Sequence, residues 1–110
     1  MSHDTPHRLE IRAVLFQEIG LWVAQCLEHD IAIQARTRAD LLEKLERTLL
    51  GYLLLGFEKG RRPFDWIPPA PRRYWEMYEK ANPVEPVEMD ASSLPSAHDL
   101  PEIELWARAA

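Results

Sequence analysis

The stretch TRADLLEKLERTLLGYLLLGFEKG, Thr37 to Gly60, constrains this chain more than any other. Leu41, Leu42, Leu45, Leu49, Tyr52 and Leu53 recur at the spacing of one helical face. Thr37 stands where an N-cap belongs, and Asp40 brings an acid to the first turn, as in a capping box with Asp in place of Glu. Gly60 suits the position just past a helix end. The expectation is one long helix from Arg38 to about Lys59, with Glu43 and Arg47 as an i,i+4 pair on its wet face. Its second half adds Leu50, Leu54, Leu55 and Phe57 outside the stripe. A helix apolar nearly all round is buried on several sides. The cover must come from elsewhere: the C-terminal segment, a second subunit or a partner.

Strands precede the helix. Residues 1–8 form a flexible polar tail. Leu9, Ile11, Ala13 and Leu15 then alternate with Glu10, Arg12, Val14 and Phe16, the period of a strand. Gln17 to Gly20 makes a turn. Leu21–Leu27 and Ile31–Ala35 read as a second and third strand, with Leu27-Glu28-His29-Asp30 as their short connection. Three sequential strands with short loops form an antiparallel meander. Residues 9–60 are thus a β-β-β-α core.

The remaining residues extend that core. Residues 61–81 are rich in Arg, Pro and aromatics and hold a short helix opened by Pro71. Residues 82–101 carry four prolines and four acids with no Lys or Arg, the composition of a linker. Residues 102–107, EIELWA, alternate again and read as a further strand at the sheet edge. The fold class is α+β: a small, mainly antiparallel sheet, one long helix on one face, and a Pro-rich C-terminal extension.

The chain has 110 residues, enough for a single domain. Its net charge of −5 argues against a protein that grips nucleic acid through phosphates. Cys26 is the only cysteine, so no intrachain disulfide forms. No secretory signal is visible at the N-terminus, and the apolar run at 49–56 is far short of the ~20 residues of a membrane span. A cytoplasmic protein is expected.

Gly20, then Trp22, Val23 and Ala24 on a strand, then Gln34, Thr37 and a leucine-spaced helix together resemble the HicB-like antitoxin family. The likeness covers about residues 9–57, with residues 102–107 as a fourth strand. It implies a β-β-β-α-β fold, a shortened relative of the RNase H arrangement. It also implies a non-enzymatic protein that masks a small, basic, HicA-like RNA-cleaving toxin of double-stranded-RNA-binding fold. Two details depart from the family: the strand connection is the shorter LEHD, and Arg36 stands where a Gly precedes the capping Thr. Nothing matches the family's C-terminal DNA-binding domain, so direct DNA binding is not carried over. The alternative is a stand-alone oligomer of the same fold with a structural or regulatory role.

Three constellations invite a chemical reading. A two-metal nuclease needs carboxylates converging on ions about 4 Å apart. Glu10, Glu18, Glu28 and Asp30 are the local acids, and they fall at strand ends and turns. Cys26 and His29 suggest a thiolate–imidazole pair, but extended geometry puts their Cα atoms about 10 Å apart with side chains on opposite sides. Cys26 reads as a small packing residue. No catalytic residue, metal ligand or cofactor is therefore assigned. The third group is Arg61, Arg62, Arg72 and Arg73 with Trp66, Tyr74, Trp75 and Tyr78. Such a set stacks bases and holds phosphates in some proteins. Here the apolar half of the helix and an open sheet face already need covering. With Phe16, Trp22, Leu54 and Phe57, these residues make the candidate partner or oligomer surface. Apolar groups on both sides of the first strands would leave more exposed than the few hundred Å² a monomer tolerates, so a homodimer or larger assembly is expected.

Overall fold

The computed structural model describes residues 8–84, 87–89 and 100–110. The expected tail therefore lies outside the described residues, apart from Arg8, as do residues 85–86 and 90–99 of the expected linker. The elements run β1 (Arg8–Glu18), β2 (Leu21–Cys26), β3 (Ala32–Ala35), α1 (Arg38–Glu58), α2 (Arg72–Lys80), β4 (Asn82–Pro83), β5 (Val87–Met89) and β6 (Glu102–Ala109). They form an α+β fold around one mixed sheet of order β3-β2-β1-β6-β4, with β5 also pairing β6.

The meander is present: β1 pairs β2 and β2 pairs β3, both antiparallel. The last strand differs from the expectation. β6 is longer, and it runs parallel to β1 from Arg8↔Glu102 to Leu15↔Ala109. It is not an edge, because β4 and β5 pair antiparallel along its far side. A parallel neighbour needs a long crossover, and α1 and α2 supply one. Two short strands thus fall inside the stretch read as a linker. Pro83, which has no N–H to give, sits in β4 at the sheet edge.

α1 forms as its sequence demands. The Thr37 hydroxyl accepts from the Asp40 N–H at 3.1 Å. At the other end Gly60 takes φ +67, its N–H reaches the Phe57 carbonyl, and the Arg61 N–H reaches Gly56 O, closing a Schellman motif. Leu41, Leu45, Leu49 and Leu53 are buried. They meet Ile11, Ala13 and Leu15 of β1, Ala24 and Cys26 of β2, and Ile103, Leu105 and Ala107 of β6. Each leucine buried this way contributes roughly 1.5–3 kcal/mol.

The opposite sheet face is covered in part, at the end that carries Val14 and Leu27. Tyr78 of α2 is buried with Val14 and Leu27, and Phe16, Tyr74, Trp75 and Met77 pack around them. Residues 61–71 carry the chain from one face to the other. Phe64 is fully buried in the α1-side core. Pro68 O then accepts from the Asp30 N–H, and the Ala70 N–H donates to Leu27 O. The strap is therefore clipped to the β2–β3 connection. Pro71 is the N-cap of α2 rather than its first residue, so the helix begins one position later than expected.

Candidate functional site

The polar residues of the LEHD connection are occupied in holding the fold. Glu28 accepts from the Arg12 backbone N–H at 2.8 Å and from Arg12 Nε at 2.6 Å. The Gln25 amide donates to Asp30 at 2.8 Å. The His29 ring stacks on Phe64 with centroids 4.9 Å apart. Cys26 lies in the dry core, and burial first, with Glu28 second, pushes its thiol up to about 12. At neutral pH it is a protonated packing group, not a nucleophile. Glu18 ends β1, exposed. Among the described residues, no three His, Cys, Asp or Glu side chains gather in a metal-binding group.

The candidate surface residues do not converge. One set lies at the C-terminal end of α1. Trp66 rests on Gly56, where a Cβ would stand 3.1 Å from the indole, so only glycine admits this contact without displacing the ring. Tyr52 flanks the same indole, and Arg61 lies over it while pairing with Asp65. Leu54 is half-buried, Phe57 remains 41% exposed, and Arg62 is exposed. A second set is on α2. Tyr74 stacks on Phe16, and Arg73 lies over Tyr74 and donates to its hydroxyl at 2.9 Å. That hydrogen bond raises the Arg73 pKa further. The Trp75 indole N–H donates to Ala70 O, Tyr78 is buried, and Arg72 is exposed. Trp22 is apart from both, on the α1 face under Arg38. Most of the aromatics are thus engaged in covering α1 and the second sheet face.

That second face carries a feature the sequence did not single out. α2 covers Val14, Phe16 and Leu27, but not the opposite end of β1. There Glu10, Arg12, Glu28, Tyr78 and Trp106 line an open cleft of about 370 Å³. The floor comes from β1 and β6, whose parallel register sets Glu10 beside Glu104 and Arg12 beside Trp106. Arg12 leans away from that partner, over Trp75 at 4.9 Å and into the Glu28 carboxylate. Trp106 is left 38% exposed. On the far side Arg8 pairs with Glu104 at 3.5 Å and with Glu102 at 3.8 Å. Glu10 and Glu28 stand out in the sequence as acids, but Arg12 and Trp106 do not. Their meeting depends on the β1–β6 pairing, which joins opposite ends of the chain.

Compared with family models, with curated proteins and with solved structures, the chain has no significant match.

Proposed function

We propose that this chain is a non-enzymatic protein-binding module of the HicB-like kind, working in the cytoplasm and masking a small, basic, RNA-cleaving toxin of double-stranded-RNA-binding fold. The observation that carries the reading is the order of elements around β1. The β3-β2-β1 meander leads into a Thr37-capped helix, and β6 returns parallel to β1 on its other side. This order is compatible with the β-β-β-α-β arrangement that the resemblance implies, with α2, β4 and β5 added before the last strand. The non-enzymatic part rests on how the acids are used: Glu28 holds Arg12, Asp30 holds Gln25, and Glu102 and Glu104 flank Arg8. Co-expression with the neighbouring open reading frames tests it. A small basic protein that co-purifies, and whose RNA cleavage stops on binding, is the expected result. If no such protein is encoded there or co-purifies, the reading fails.

One observation favours a stand-alone oligomer instead. Leu55 and Phe57 remain 40% and 41% exposed near the end of α1, beside the Trp66 platform. Under this reading those groups are the contact between copies. Sedimentation at micromolar concentration separates the two, because a clean 12.8 kDa species excludes the oligomer.

A further inference from the structure

The cleft on the second sheet face has an uncommon charge arrangement. Glu10 projects between Arg8 and Arg12, its i−2 and i+2 neighbours on the same side of β1. Both arginines are drawn elsewhere, Arg8 toward Glu102 and Glu104, Arg12 toward Glu28. Among the described residues, Glu10 has neither a hydrogen bond nor an ion pair. Next to it Trp106 offers an exposed indole with no cation over it among the described residues, although Trp22, Trp66 and Trp75 each carry an arginine. Tyr78 forms the wall, held by Arg108 at 4.4 Å from its ring.

We infer that this cleft is a receptor for one arginine or lysine side chain of a polypeptide partner. The cation would lie on the Trp106 indole and pair with the Glu10 carboxylate, the two groups of the cleft left without a partner. An aromatic face and a carboxylate side by side recognise an ammonium or guanidinium group, and neither contact favours a neutral or anionic one. A cleft of about 370 Å³ is roomy enough for such a side chain. Arg12 does not fill the place itself, because the Glu28 carboxylate grips both its backbone N–H and its guanidinium. The occupant is therefore a basic segment from another chain. This goes beyond the toxin-masking reading, since any polypeptide that presents a cation there qualifies.

The test uses the full chain and blocked five-residue peptides, glycine on both sides of a central arginine, lysine or citrulline. Chemical shifts of the Trp106 indole N–H and of the Arg12 amide are monitored by NMR during titration. The arginine and lysine peptides should shift both signals, and the neutral citrulline peptide should not. Glu10→Gln keeps the shape and removes the charge, and should weaken the arginine peptide about fivefold or more. Trp106→Leu should weaken it by a similar factor. An unmoved Trp106 signal, an equal response to citrulline, or unchanged affinity in Glu10→Gln would each overturn the inference. The peptides contain no toxin, so failure to co-purify a toxin leaves this result standing, and the reverse also holds.

Discussion

The two faces of the sheet are built to different standards. The α1 face is dry: Ile11, Ala13, Leu15, Ala24, Cys26, Leu105 and Leu41, Leu45, Leu49 and Leu53 of α1 are all almost fully buried. The α2 face is dry at one end and charged at the other. Length explains the contrast. α1 has 21 residues and so spans about 31 Å, close to the ~37 Å of the 11-residue β1. α2 has nine residues, about 13 Å, and covers only a third of that strand. The sequence of β1 matches: Val14 and Phe16 lie under α2, and Arg8, Glu10 and Arg12 lie beyond it. A short helix on a long strand leaves a polar shelf, and the cleft is that shelf.

The widest separation between the faces should appear on truncation. Leu45→Ala removes a fully buried side chain from the α1 face and should cost about 3 kcal/mol in urea unfolding. Trp106→Ala, on the open part of the other face, should cost less than about 1 kcal/mol. Equal losses would mean that the second face is as closed as the first.

The next largest effect is one of pH. The Cys26 thiol is raised from 9.0 to about 12 by burial. Between those values the unfolded chain gives up a proton that the folded chain keeps. The unfolded state then binds fewer protons, so stability falls as pH rises through the window, and below pH 9 the group has no effect. From pH 9 to pH 10.5 the loss should be roughly 1–2 kcal/mol, and Cys26→Ala should remove that slope. A thiol reagent at pH 8 should not label Cys26 until the chain unfolds. Rapid labelling of the native protein would put Cys26 outside the dry face.

The range of each interaction decides how much of this is readable from sequence. Thr37, the Leu41–Leu53 stripe and Gly60 act within a few residues of one another, so the helix and both of its ends are legible. The meander is legible because Gly20 and the LEHD connection join neighbours in sequence. The pairing of β1 with β6 is not, since nothing local in EIELWA tells a parallel inner strand from an antiparallel edge. The cleft depends on that pairing, so Trp106 reads as one side of an ordinary alternation. Cys26 is a packing group of the dry core, as its small size on the strand suggests, and the packing role of Trp66, Tyr74, Trp75 and Tyr78 comes from apolar surface that needed covering. The division of those aromatics between two faces is hidden, because it depends on where the strap at residues 61–71 crosses.

A smaller effect probes the rim between the two halves of the second face. Glu28→Gln keeps an oxygen for the Arg12 N–H but loses the charge that holds the guanidinium. The Arg12 side chain is 47% exposed and that of Glu28 23%, so solvent screening limits the loss to about 1 kcal/mol. The Arg12 side chain should then move more freely, seen as broadening of its Nε–H signal. A loss as large as that of Leu45→Ala would show that the pair is a keystone of the fold and not a rim contact.

The smallest effect lies at the β1–β2 hairpin and has the opposite sign. Ile19 takes φ +50 and Gly20 φ +76, the pair of positive values of a tight primed turn. A β-branched side chain is poorly suited to that conformation, and Ile19 is 97% exposed, so it gains almost nothing from burial in return. Asn tolerates the left-handed region, and Asn-Gly is the favoured dipeptide here. Ile19→Asn should therefore stabilise the isolated chain by about 0.5–1 kcal/mol. Unfolding at low and at high protein concentration turns this into a test of assembly. If the gain holds at both, the tip is free in solution. If Ile19→Asn stabilises the dilute protein but destabilises the concentrated one, Ile19 is buried between copies, and the strain at the hairpin is offset by that contact.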